Sequence, residues 1–107
     1  NSQKRTGIRT SAGYFQGPLK VVRSTEDFHK VQPGDVIAIP YSDVAWTPLF
    51  ARAGAVVAEA GGILSHSSIV AREYGIPCVV SVNNACNLPE NVEVIVDGYQ
   101  GAVQIVQ

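Results

Sequence analysis

Short apolar runs alternate with glycine- and proline-rich punctuation along this chain, a pattern that predicts a mixed sheet with helices between its strands. Gly17 to Arg23 reads as a first strand, and Ser24 or Thr25 can cap a helical turn through Glu26, Asp27, Phe28 and His29. Phe28 and Val31 bury that turn, and His29 faces solvent. The turn signal Pro33-Gly34-Asp35 leads into Val36-Ile37-Ala38-Ile39, short, apolar and β-branched like an inner strand, which Pro40 closes. Ser42 or Asp43 opens a loop to a helix around Thr47 to Ala53, with Thr47 as cap, Pro48 in the first helical position, and Leu49 and Phe50 inward. Trp46 at its start belongs to packing. Ala55 to Ala58 is a buried strand that delivers the chain to Gly61.

The stretch from Gly61 to Glu73 organises the rest. A glycine pair allows close approach, Ser65 can cap a helix, and His66 follows in the first turn, where unpaired amides and the helix dipole favour an anion. Ile69, Val70 and Tyr74 are spaced for one buried helix face, with Ser68 and Arg72 on the other side. Gly75 ends the helix and Pro77 prevents its return. Strand, glycine loop and helix in this order are how an open α/β sheet builds a phosphate site. Cys78 to Val82 is then a strand buried on both sides, Asn83 to Pro89 a loop, and Val92 to Val96 pairs with Ala102 to Val106 across a glycine-bounded turn.

The 107 residues, 46% hydrophobic and 16% charged, describe one compact domain rather than a disordered chain. There is no Met, so the chain is expected to be a piece of a longer protein whose other domains are its partners. A net charge of -1 without long runs of either sign gives no indication of nucleic-acid binding by a basic face, and no nucleic-acid partner is expected. Residues 1–6, with Lys4 and Arg5, read as a solvated linker, Gly7 to Gly13 as an irregular opening segment, and residues 7–107 as the domain. No apolar run approaches the roughly 20 residues that span a bilayer, and no signal-peptide pattern opens the chain, so a cytoplasmic location and no membrane partner are expected. Cys78 and Cys86 do not make a disulfide framework, and with His66 they lack metal spacing, so no metal site is expected.

His66 is the candidate catalytic residue. A neutral imidazole nitrogen is a good nucleophile toward phosphorus and attacks without a separate base, leaving a labile P–N bond that keeps the phosphoryl group easy to pass on. Gly61 and Gly62 let their loop close around the phosphate oxygens, the amides of Ser67 and Ser68 donate from the helix start, and Ser65, Ser67 and Ser68 add hydroxyl donors. A Ser-His hydrolase is a poor rival, because no Gly-x-Ser-x-Gly elbow is present.

The run Gly61-Gly62-Ile63-Leu64-Ser65-His66 through Ile69-Val70-Ala71-Arg72-Glu73, then Gly75-Ile76-Pro77 and Val79-Val80, resembles the swivelling phosphohistidine (mobile) domain of phosphoenolpyruvate-utilising enzymes, of the pyruvate phosphate dikinase, phosphoenolpyruvate synthase and rifampicin phosphotransferase type. Gly7 to Gly13, Pro33-Gly34-Asp35-Val36 and Asp97-Gly98 with Gly101 extend the likeness. The chain's own pattern sums to an α/β fold, a mixed sheet with two main helices, and the resemblance implies a compact domain of β/β/α layers swinging on linkers. It implies that His66 carries a phosphoryl group, on Nε2, between a nucleotide-binding (ATP-grasp-like) domain and a phosphoenolpyruvate or substrate domain. No cofactor is then bound by this domain alone, and Mg2+ with ATP or phosphoenolpyruvate belongs to the partner domains. Four positions depart from the family pattern: Ala58 stands where Thr is common, Leu64 takes the place of the regulatory threonine of plant-type dikinases, and Ser67 and Ser68 replace a small apolar pair. The alternative is a non-catalytic docking module with the same fold.

Overall fold

The computed structural model describes residues 4–106. Eight strands follow in chain order: β1 (Lys4–Thr6), β2 (Ile8–Ser11), β3 (Tyr14–Val21), β4 (Asp35–Ile39), β5 (Ala53–Ala58), β6 (Cys78–Val80), β7 (Glu93–Asp97) and β8 (Ala102–Ile105). They form one mixed sheet in the order β1-β8-β7-β3-β4-β5-β6-β2. The central pairs β3–β4, β4–β5 and β5–β6 are parallel, and the flanking pairs are antiparallel.

β1 and β2 occupy opposite ends of this order, yet Gly7 alone separates them in the chain. The sheet must therefore curl until its two ends meet. Gly7 sits at that closure, donating its amide to the Gly101 carbonyl at 2.9 Å, and a Cβ there would collide with the Val80 carbonyl. Lys4–Thr6, expected within a solvated linker, is thus an edge strand paired with β8, and the supposedly irregular segment after Gly7 is β2, paired with β6. The rest of the expected linker, residues 1–3, lies outside the described residues.

Alternation along the parallel strands builds two cores. Val36, Ala38, Ala55, Val57 and Val79 point into the fold of the sheet, where they meet Leu19, Val94, Val96 and Val103. Their neighbours Ile37, Ile39, Val56, Ala58, Cys78 and Val80 point outward and are covered by Trp46, Leu49, Phe50, Val70 and Ala71. The result is the expected β/β/α layering. The helical layer is slighter than expected. Thr25–Lys30 is a 3-10 segment led by Ser24, whose side chain makes no capping bond, and the helix expected over Thr47 to Ala53 is a 3-10 turn, Val44–Trp46, followed by one α turn, α1 (Thr47–Phe50). Asp43, not Thr47, caps it, its carboxylate accepting the Ala45 amide at 3.0 Å.

The long helix is α2 (His66–Tyr74), stopped as expected by Gly75 at φ 70°, with the Ile76 amide returning to the Ala71 carbonyl. Its buried face differs from the expected one. Ser67, Ser68, Val70 and Ala71 are buried, whereas Ile69 is 41% and Tyr74 47% exposed. Small residues face the sheet because α2 packs closely on β6 and β2. Cys78 and Cys86 are buried free thiols.

Candidate phosphoryl-transfer site

Parallel β4 and β5 lie side by side, and the chain leaves the carboxyl end of each into a loop. Glu59 and Ala60 extend the pairing by donating to the carbonyls of Ile39 and Pro40 at 2.9 and 3.1 Å. This holds the segment after β4, with Ser42, against the segment after β5, which runs through Gly61 and Gly62 into α2. Ligands gather at such a crevice in α/β sheets.

The glycine loop is built around one carbonyl. Gly62 O accepts the Ser65 amide at 3.0 Å and the hydroxyls of Ser65 and Ser68 at 2.8 and 2.7 Å, and those two hydroxyls lie 3.0 Å apart. Gly61 has φ 125°, a conformation for which glycine is suited, and a Cβ there would lie 2.8 Å from Ser65 Oγ. Arg72 ties the loop to the sheet by donating to Ile63 O at 2.8 Å and to Thr10 O, on β2, at 2.7 Å. Ser65 occupies the N-cap position of α2 but makes no side-chain capping bond, because its hydroxyl is turned to Gly62.

His66 is the first residue of α2 and is half-buried. Both ring nitrogens meet hydroxyls from the β4–α1 segment: Nδ1 lies 2.7 Å from Ser42 Oγ, and Nε2 lies 3.2 Å from Thr47 Oγ1. Phe50 presents its ring edge-on, with centroids 6.0 Å apart and an interplanar angle of 84°. Ser42 Oγ also lies 2.6 Å from Ser67 Oγ. The structure therefore brings His66 together with Gly61, Gly62, Ser65, Ser67 and Ser68, but it turns the three serine hydroxyls into protein hydrogen bonds. Ser68 is wholly buried and Ser67 is 2% exposed.

Ser42 and Thr47 are the site residues that sequence reasoning missed as partners of His66. A signal existed: both follow an apolar parallel strand, where polar side chains gather at the carboxyl edge. His29, the other histidine, is exposed, and its Nδ1 lies 2.9 Å from the Glu26 carbonyl. Burial pushes the Cys78 thiol up to about 11, and burial, with the nearby Glu59 carboxylate, pushes that of Cys86 up to about 12, so neither is a ready nucleophile. Among the described residues no three His, Cys, Asp or Glu side chains gather at one place, and no helix is long and apolar enough to cross a membrane.

The profile of the PEP-utilising enzyme mobile domain matches residues 31–101, which contain Ser42, Thr47 and the run from Gly61 to Ser68. The chain belongs to that family. Rifampicin phosphotransferase of Bacillus subtilis (strain 168) is 37% identical over 100 residues, covering 92% of this chain and 11% of that protein. A probable phosphoenolpyruvate synthase of Methanothermobacter thermautotrophicus is 37% identical over 98 residues, covering 91% of this chain and 14% of that protein. The solution structure of an Enzyme I protein superposes with a TM-score of 0.62 at 26% identity, over 74% of this chain and 33% of that one. This mobile domain thus spans about an eighth of the length of these two curated relatives. Its relatives include phosphotransferases, and in them it is one part among others.

Proposed function

We propose that this mobile domain is a phosphohistidine carrier, in which His66 takes a phosphoryl group from one partner domain and surrenders it to another. The observation that carries the reading is the setting of the ring: His66 opens α2 beside the glycine loop, and both its nitrogens meet neutral hydroxyls. A hydrolytic triad would set a carboxylate against Nδ1 to stabilise a transient imidazolium. A serine there orients the ring without adding a negative charge that would repel an incoming phosphate.

In the forward step the Nε2 lone pair attacks phosphorus. The P–N bond forms as the donor P–O bond breaks, and the bonding pair leaves on the donor oxygen. The ring's one proton stays on Nδ1, against Ser42. In the return step an acceptor oxygen attacks, the P–N bond breaks, and its electron pair goes back to Nε2. Phosphate-binding roles for Gly61, Gly62, Ser65, Ser67 and Ser68 rest on backbone: the loop's lack of Cβ bulk and the first-turn amides of α2, which have no partner within the helix. The hydroxyls of Ser65 and Ser68 shape the loop instead. Arg72 adds a positive charge behind it.

The partners proposed are a nucleotide-binding domain and a phosphoenolpyruvate or substrate domain, which would contribute ATP, phosphoenolpyruvate and Mg2+. Exposed Tyr41, Val44, Ile63 and Leu64 flank Ser42 and His66 and offer the apolar surface a docking domain needs to exclude water from the transfer.

Incubation of the protein with phosphoramidate, followed by intact mass and phosphorus NMR, tests the reading. The expected result is one acid-labile phosphate on His66, absent in His66→Ala, with exposed His29 as the internal control. Equal labelling of both histidines, or labelling that persists in His66→Ala, overturns it.

A further inference from the structure

Ser42 Oγ stands between two partners, His66 Nδ1 at 2.7 Å and Ser67 Oγ at 2.6 Å. The three groups come from different places in the fold: Ser42 from the segment after β4, Ser67 from the buried side of the first turn of α2, and His66 from its start. A hydroxyl carries one proton and two lone pairs, so this chain of contacts can run in either sense. Ser67 can donate to Ser42 and Ser42 to Nδ1, or Nδ1–H can donate to Ser42 and Ser42 to Ser67. Two hydroxyl rotations, together with the gain or loss of the proton on Nδ1, interconvert the senses without moving a heavy atom. Thr47 meets Nε2 at 3.2 Å, a longer and softer contact from a part-buried residue.

We infer that Ser42 and Ser67 form a reversible hydroxyl pair that holds His66 by Nδ1 and directs phosphorylation to Nε2. The inference rests on the carrier reading of His66. Attack by Nε2 requires its lone pair to be free, which places the ring's one proton on Nδ1. Once the P–N bond forms, the ring is positively charged and Nδ1–H must donate. Ser42 accepts that proton's hydrogen bond before and after the attack, with its own proton turned to Ser67. When the phosphoryl group leaves, the neutral ring still holds its proton on Nδ1, and the pair turns back only when that proton passes to Nε2 through solvent. Nδ1, covered by Ser42, which nearly inaccessible Ser67 backs, is the nitrogen that cannot reach a phosphoryl donor. Ser42 and Ser67 are positioning residues, because they act through the ring.

The experiment compares wild type, Ser42→Ala, Ser42→Thr and Ser67→Ala, each labelled with nitrogen-15 in its histidines, before and after treatment with phosphoramidate. Long-range proton–nitrogen spectra report which ring nitrogen carries the proton, and the same spectra distinguish the two phosphohistidine isomers. In wild type the product is the Nε2 isomer. In Ser42→Ala the proton distribution of the free His66 ring changes, both isomers form, and the initial rate falls about fivefold, the size of one lost net hydrogen bond. Ser42→Thr restores isomer and rate, and Ser67→Ala falls between. Unchanged His66 nitrogen signals and a single isomer in Ser42→Ala, with His29 signals and fold intact, overturn the inference. So does an Nδ1 isomer in wild type. If wild type takes no phosphate, the carrier reading fails by itself, and the proton distribution of the free ring still decides for or against the hydroxyl pair. Should Ser42→Ala not fold, Ser67→Ala against wild type carries the same decision.

Discussion

Gly61 and Gly62 are neighbours of the same type with opposite surroundings, and substituting each by Ala separates what the loop requires. Gly61 has φ 125°, where an L residue is strained, and its new Cβ would lie 2.8 Å from Ser65 Oγ and 3.1 Å from Ser65 Cβ. The backbone strain is about 1 to 3 kcal/mol. Moving Ser65 away also sacrifices its 2.8 Å bond to Gly62 O, a net loss of about 1 kcal/mol. Together these make roughly 2 to 4 kcal/mol, which for a domain of this size lowers Tm by on the order of 10 °C. Gly62 carries no positive φ, and a Cβ there meets nothing within 4 Å. Gly62→Ala should therefore unfold within about 2 °C of wild type, as ordinary surface substitutions do. The assay is thermal unfolding by circular dichroism, run beside phosphoramidate labelling of His66. Gly61→Ala is expected to lose Tm and to label at least about tenfold more slowly, because the loop reaches His66 through Ser65. The double variant Gly61→Ala, Ser65→Ala removes the closest contact but keeps the φ strain, so it should recover only part of the Tm. Wild-type stability in Gly61→Ala, or a larger loss of Tm in Gly62→Ala, would refute the reasoning.

Two further outcomes follow from titratable groups. The thiols of Cys78 and Cys86, pushed up to about 11 and about 12, should stay unmodified by iodoacetamide at mildly alkaline pH and react only once denaturant is added; rapid modification of the native protein would show that burial does not protect them. Glu90 pairs with Lys30 at 2.8 Å and accepts the Val21 amide at 2.7 Å, and the Lys30 hydrogen bond, ahead of the Val21 amide, holds its carboxyl below the ordinary value. A carboxyl depressed in the folded state adds stability above its unfolded pKa and loses it as pH falls through the folded one. Glu90→Gln should accordingly flatten the acid limb of the stability curve, by no more than about 1 kcal/mol because the pair is solvent-screened. An unchanged acid limb would mean the pair contributes nothing.

The apolar runs declared the inner strands. Val36 to Ile39, Ala55 to Ala58 and Cys78 to Val80 lack polar alternation because both faces of β4, β5 and β6 are covered, one by the curled sheet and one by helices. The edge strands were not legible in the same way. Lys4–Thr6 is polar, and only its ladder with β8 makes it a strand, a partnership set by a segment almost a hundred residues away. The short connection through Gly7, which closes the curl, carries no local signature beyond the glycine itself.

The site was legible in its centre and illegible in its supports, for one physical reason. Glycine, serine and histidine at a helix start announce an anion site through backbone geometry, which is local. Which hydroxyl meets the ring depends on which strands are neighbours, and that is tertiary. Ser68 shows how apolar periodicity misleads at such a place: a serine is placed outside because an unpaired buried hydroxyl is costly, yet here it is wholly buried. Its cost is offset by the Gly62 carbonyl at 2.7 Å and Ser65 Oγ at 3.0 Å, partners that exist only because the glycine loop folds back over the helix start. The exposed Ile69 and Tyr74 follow from the same displacement, since a helix that turns its serines toward the loop must turn the residues beside them outward. Where polar residues are buried with their partners, the face of a helix is set by the loop it holds and not by its hydrophobic stripe.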